Sequence, residues 1–156
     1  MVAVHKISGD FYEDVFALIA LHSSLEDYAM VYAINRHIKS NFKRFSKDLD
    51  VSEYASFPFF EWKDEINGRY WTLIPNNSLK VEYSENKNLF KDEPSFIAHH
   101  LVPEHKDVDY FLKIDQNEEE EEEIEEIVKA LFAIPKVLTA YSIDVKKLKS
   151  KNNLIF

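Results

Sequence analysis

The segment VFALIALHSSLEDYAMVYAINRHIK, residues 15–39, changes periodicity part-way along, and that change decides the fold class. Val15 to Leu21 is a continuous apolar run with no polar break. A short, uninterrupted run of this kind reads as a strand buried on both faces of a sheet. Ser23 and Glu26 then fit a capping box, with Ser23 as N-cap and Glu26 three residues on. From there to about Lys39 the apolar residues follow a helical period. Met30, Val31, Ala33, Ile34, His37 and Ile38 share one face. Tyr28, Tyr32, Asn35, Arg36 and Lys39 share the other. Phe42 to Val51 reads as the next strand, which makes residues 15–51 a strand–helix–strand unit.

The same order recurs near the other end. Val108 to Ile114 (VDYFLKI) reads as a strand and Glu119 to Ala133 as a helix. The stripe Ile124, Ile127, Val128 and Leu131 has i, i+3, i+4, i+7 spacing. Asn117 is placed to cap this helix, acids crowd its first turn as the helix dipole favours, and Pro135 stops it. Val137 to Val145 reads as the last strand, followed by a basic tail, Lys146 to Phe156. Between the two units, Phe57–Lys63 and Arg69–Ile74 flank Asn67-Gly68. That dipeptide predicts a hairpin with a type I′ turn, in which both residues take positive φ. Residues 76–94 are polar and turn-rich, with Asn86-Lys87-Asn88 as one turn and Leu79 to Tyr83 as a weak strand. Phe96 to Leu101 is a further strand. The expectation is one α+β domain over residues 1–156. It has an antiparallel or mixed sheet, two helices on one face, and a split-βαβ, ferredoxin-like arrangement with extra central strands. No residue-level repeat and no second domain are indicated.

Composition removes several function classes. There is no cysteine, so disulfides, thiolate metal sites and a cysteine nucleophile are excluded. Only Gly9 and Gly68 are glycine, too few for a phosphate-cradling loop. No Gly-x-Ser-x-Gly elbow exists, and Ser23, Ser24 and the six histidines form no hydrolase triad. Residues 104–126 hold 12 acidic and 2 basic side chains, a local −10. The formal charge of the whole chain is −9, so the remainder sums to +1. The longest apolar run is far short of the ~20 residues a membrane helix needs. Glu13 and Asp14 ahead of it are the wrong charge for a signal peptide. The expectation is a cytoplasmic protein, not bound to a membrane and needing no cofactor.

Four constellations bear on chemistry. His99, His100, Glu104 and His105 invite a metal reading, and a metal-dependent hydrolase follows from it. The spacing opposes this, because Pro103 breaks a helix there and adjacent strand residues point to opposite faces. Glu104, Asp109 and Tyr110 fall near one sheet end, where two carboxylates and a phenol can do acid–base work or fix a turn. Tyr28, Tyr32 and Arg36, at i, i+4 and i+8, form an outer helix ridge of the residue types enriched in interface hot spots. The basic stretch Arg36 to Lys47, with Phe42 and Phe45 interleaved, has the composition of a nucleic-acid strip but reads as solvated surface. The acidic run Glu118 to Glu126 likewise reads as a solvated helix face.

Val102-Pro103-Glu104, three intervening residues and Val108-Asp109-Tyr110 resemble the signature of the IPExxxVDY family, bacterial proteins named for that motif. Val102 stands where the name has Ile. Ser24 to Tyr28 and the tail Leu148 to Leu154 are also similar to that family, so the resemblance covers nearly the whole chain. It implies that Pro103, Glu104, Asp109 and Tyr110 matter, and brings no activity, cofactor or substrate with it. His99, His100 and His105 lie outside the motif. The functional expectation is a non-catalytic protein-interaction or regulatory module, which captures a partner or self-associates through Tyr28, Tyr32 and Arg36. The alternative is a small-ligand site at Glu104, Asp109 and Tyr110.

Overall fold

The computed structural model describes residues 16–53, 55–83, 94–115 and 121–156. Val15, the turn at Asn86–Asn88, the Asn117 cap and Glu118 to Glu120 lie outside the described residues. Over the described residues the chain is a mixed α+β fold built on a six-stranded antiparallel sheet with two α-helices. In chain order the elements are β1 (Phe16–Ser23), α1 (Asp27–Ile38), β2 (Lys43–Arg44), β3 (Leu49–Ser52), β4 (Ala55–Phe57), β5 (Phe60–Asp64), β6 (Arg69–Pro75), β7 (Asn77–Tyr83), β8 (Pro94–His100), β9 (Tyr110–Asp115), α2 (Glu121–Phe132) and β10 (Val137–Ile143).

The main sheet runs β10-β1-β9-β6-β5-β2, every neighbouring pair antiparallel. β1 lies inside the sheet, paired on both edges and covered on both faces, which is why its run is apolar throughout. Ala17, Ile19 and Leu21 face one way, against Met30, Val31 and Ile34 of α1 and Ile124 and Leu131 of α2. Phe16, Leu18 and Ala20 face the other way, against Ala55 and Phe57 of β4, Leu101, Val102, Val108, and Val145, Leu148 and Leu154. Both helices therefore cover one face, and loops with a small hairpin cover the other. Burying a side chain such as Leu154 contributes roughly 2 kcal/mol.

Six local expectations are corrected. Ser23 does not cap α1. It ends β1, and Glu26 holds the N-cap position with no side-chain cap bond. His37, expected on the buried face, is exposed. Asn35, expected outside, turns in: its Oδ1 accepts the Phe42 N–H at 2.8 Å and its Nδ2 donates to the Phe42 carbonyl at 3.2 Å. Phe42 to Val51 is not one strand. It breaks after Arg44, which pairs with Asp48, and its halves join different sheets as β2 and β3. Among the described residues two strands after α1 run parallel to β1: β6, with β9 between them, and β2 at the edge of the sheet. The extra central strands do not all extend the main sheet either, since β7–β8 and β3–β4 form separate pairs. Finally, Asp64 pairs with Arg69, so the β5–β6 loop is four residues long. Only Gly68 in it has positive φ, +66°. The Asp64 carboxylate supplies what a type I′ turn would have, accepting from the Asn67 backbone N–H (3.3 Å) and Nδ2 (2.7 Å).

Candidate functional site

The motif loop is organised by a residue outside the motif. Asn76 is fully buried between β6 and β7. Its backbone N–H donates to the Asp109 carbonyl (2.9 Å), and its carbonyl accepts from the Leu101 N–H (2.8 Å). Its Oδ1 accepts the Val102 N–H at 2.9 Å. Its Nδ2 donates to the His105 and Val108 carbonyls at 2.8 and 2.9 Å. One side chain thereby closes the whole 101–109 loop and leaves none of its own polar groups unpaired. Val102 is extended, as the residue before a proline must be, while Pro103 opens a 3-10 turn over Pro103–His105.

The structure gives Glu104, Asp109 and Tyr110 three separate tasks. The Glu104 carboxylate accepts from the Lys149 N–H (2.7 Å), the Ser150 N–H (3.0 Å) and the Ser150 hydroxyl. Burial would raise its pKa, but the bonds from Ser150, Lys149 and its own backbone outweigh that and hold it below the usual range. Asn153 Nδ2 donates to the Leu101 carbonyl (2.9 Å), so the tail is tied to the loop at two points. Asp109 accepts the Ser23 N–H at 2.9 Å and its own N–H donates to Leu21, which extends the β1–β9 ladder. The Tyr110 hydroxyl donates to the Leu25 carbonyl at 2.5 Å and lies 3.2 Å from Asp27 Oδ1, pinning the connection into α1. Burial, and then the Asp27 charge, push the Tyr110 phenol well above its ordinary value. Ser23, misread as a cap, completes the junction, since its hydroxyl donates to the Lys136 carbonyl (2.8 Å) and accepts the Leu25 N–H (3.2 Å).

The histidines do not converge. Among the described residues no group of three His, Asp or Glu side chains is placed to hold a metal ion. Glu104 of the expected set is already filled by the tail. The aromatics of the basic stretch are turned away from any strand of bases: Phe42 is buried, and Phe45 stacks on Phe59 at 4.6 Å. In the acidic helix, Glu123 pairs with Arg69. Sequence reasoning missed Asn76, which sits in a run, Asn76-Asn77-Ser78, that looks like an ordinary turn. It also missed Lys113, buried on β9 with its Nζ 4.8 Å from the Phe16 ring centre and 4.3 Å from that of Phe156. Burial lowers its pKa, and Asp115, 3.6 Å away, opposes the shift.

The outer face of α1 is exposed, as are Ile66, Phe132 and Leu138 elsewhere on the molecule. Tyr28 and Tyr32 are 74% and 65% exposed. Tyr28 rests edge-on against Phe60, ring centres 5.9 Å apart, and Arg36 reaches back to the Tyr32 hydroxyl at 3.4 Å. Beside this ridge lies a groove of about 500 Å³ between α1 and the turn before β10. Its floor is apolar, with Leu25, Ala33 and Ile134. Arg36, His37 and Lys136 stand along it. No family model, curated protein or solved structure matches the chain. Among the described residues no helix is long and apolar enough to cross a membrane.

Proposed function

We propose that the chain is a non-catalytic interaction module of the cytoplasm, which captures a partner protein on the outer face of α1. The observation that carries this is the pair of exposed tyrosines, Tyr28 and Tyr32, the second of which lines an apolar groove flanked by Arg36 and Lys136. Aromatic anchors around a desolvated pocket are how protein interfaces concentrate binding energy. Arg36 and Lys136 select a segment that carries an apolar anchor and one or more carboxylates. The small-ligand alternative at Glu104, Asp109 and Tyr110 has less support, because each of those groups already holds backbone of its own chain.

Two further parts of the reading rest on the residues. The strand order β10-β1-β9-β6, with helices after β1 and β9, supports a split-βαβ, ferredoxin-like core to which β5 and β2 are added. The spacing from Val102 to Tyr110 supports kinship with the IPExxxVDY proteins, in which the motif would serve as the same loop clamp.

The test is site-specific photo-crosslinking in the native cell lysate. A benzophenone amino acid replaces Tyr32, and a control replaces Ile66, 96% exposed in the β5–β6 loop. The proposal expects a discrete adduct from position 32 alone, mapping to an acidic, apolar-anchored segment. Identical adduct patterns from both positions would overturn it.

A further inference from the structure

The main sheet ends in two edge strands of different build. β2 is two residues long, and both of them, Lys43 and Arg44, are exposed cations. Shortness and charge keep an edge strand from pairing with another chain. β10, at the opposite edge, runs seven residues, Val137–Ile143, with no charged residue and no proline among them. Among the described residues no strand pairs with its outer side. Its one irregularity is a bulge near the start. Ser23 pairs with Val137 and His22 with Thr139, so Leu138 is skipped and stands 72% exposed. Phe132, at the end of the helix that leads into β10, is exposed as well.

The charges that β10 lacks stand at its two ends. Lys136 precedes it and Asp144 follows it, and both are exposed. Asp144 Oδ1 accepts the Lys146 N–H at 3.1 Å, and its Oδ2 lies 4.0 Å from the Lys147 ammonium. A strand with a cation at one end, an anion at the other and no charge between is complementary to itself when antiparallel. A two-fold axis at Ala140 uses the whole strand, with Val137 opposite Ile143. It also brings Lys136 to Asp144 of the second copy, at both ends. An axis at Tyr141 would set Lys136 against Lys146, and one at Thr139 would shorten the ladder.

The acidic end is shaped for what this register delivers. A groove of about 630 Å³ lies between the end of β10 and the start of α2, with Ala17, Ile124 and Ile143 in its walls. Its charged groups are Glu121, Glu125 and Asp144 against one base, Lys146. The second copy carries Leu138 and Lys136 to this end, an apolar side chain for the walls and a cation for the acids.

The geometry points to a homodimer in which β10 pairs antiparallel with β10 of a second copy about Ala140, joining the two main sheets into one. This surface is separate from the tyrosine ridge. Lys136 also flanks the groove beside α1, so the test does not rest on Lys136 alone.

The experiment measures the molar mass of the full chain by light scattering at about 100 μM, a concentration that reveals even a weak dimer. The wild-type chain is expected to be a dimer. Lys136→Glu and Asp144→Lys are each expected to weaken it by about tenfold, because like charges then meet at both ends. An equimolar mixture of the two variants is expected to recover the dimer, since opposite charges meet again at both ends of the mixed pair. Leu138→Asp is expected to abolish the dimer with an unchanged circular dichroism spectrum, because the side chain it replaces is exposed. A monomeric wild-type chain, single charge variants as tightly paired as wild type, or a mixture that stays monomeric would overturn the proposal.

Discussion

The loop from Leu101 to Tyr110 and the outer face of α1 present similar side chains and use them oppositely. Both carry tyrosine and charge. In the loop, Glu104, Asp109 and Tyr110 each spend their polar atoms on backbone of a distant segment, and Asn76 closes the loop from beneath. On α1, the hydroxyl of Tyr32 has one long contact, from Arg36, and both tyrosines stand largely in solvent. A conspicuous motif is therefore not by itself a site. What separates the two regions is whether the polar groups are already satisfied.

Mutations should separate them in the same way. The largest effect belongs to Asn76→Ala, which orphans the Val102 N–H and two carbonyls in a buried setting. It is expected to cost about 3 kcal/mol in urea unfolding. A cost below about 1 kcal/mol would mean the loop does not depend on Asn76. Tyr110→Phe keeps the ring and loses the bond to Leu25, for an expected loss of about 1 kcal/mol.

Glu104→Gln sharpens the comparison through pH. The folded pKa of Glu104 lies below its ordinary value of 4.5, so its stabilisation is present above that value and is lost as pH falls through the depressed one. The variant is expected to show a flatter acid limb in thermal melts below about pH 4.5, with little change of slope near neutrality. An unchanged acid limb would detach the tail from Glu104. Smallest of all, Tyr28→Ser with Tyr32→Ser is expected to move stability by no more than about 0.5 kcal/mol, because both side chains are exposed.

Strand β1, both helices and the β5–β6 hairpin, though not its turn type, were legible because each writes its period or its turn residues within a few neighbouring positions. The stretch Phe42 to Val51 was misjoined because Phe45, Leu49 and Val51 keep an apolar rhythm across the break at Arg44, and only pairing partners elsewhere reveal it. The tail was read by its lysines, whereas Leu148 and Leu154 bury themselves singly and leave no pattern. Asn76 was illegible for the same reason, since its partners lie 26 to 32 residues away. The tyrosine ridge was legible as a ridge. The groove beside it was not, because Ile134, Pro135 and Lys136 reach α1 only through the fold. The Trp62–Trp71 pairing had a signal in the equal spacing of the two residues about the four-residue loop.

The most direct test is partner capture by the Tyr28→Ser, Tyr32→Ser chain beside the wild-type chain, with melting temperature measured on the same samples. The account predicts unchanged melting and loss of the captured partner. Unchanged melting with the partner retained would contradict it, and would place the interface elsewhere on the molecule.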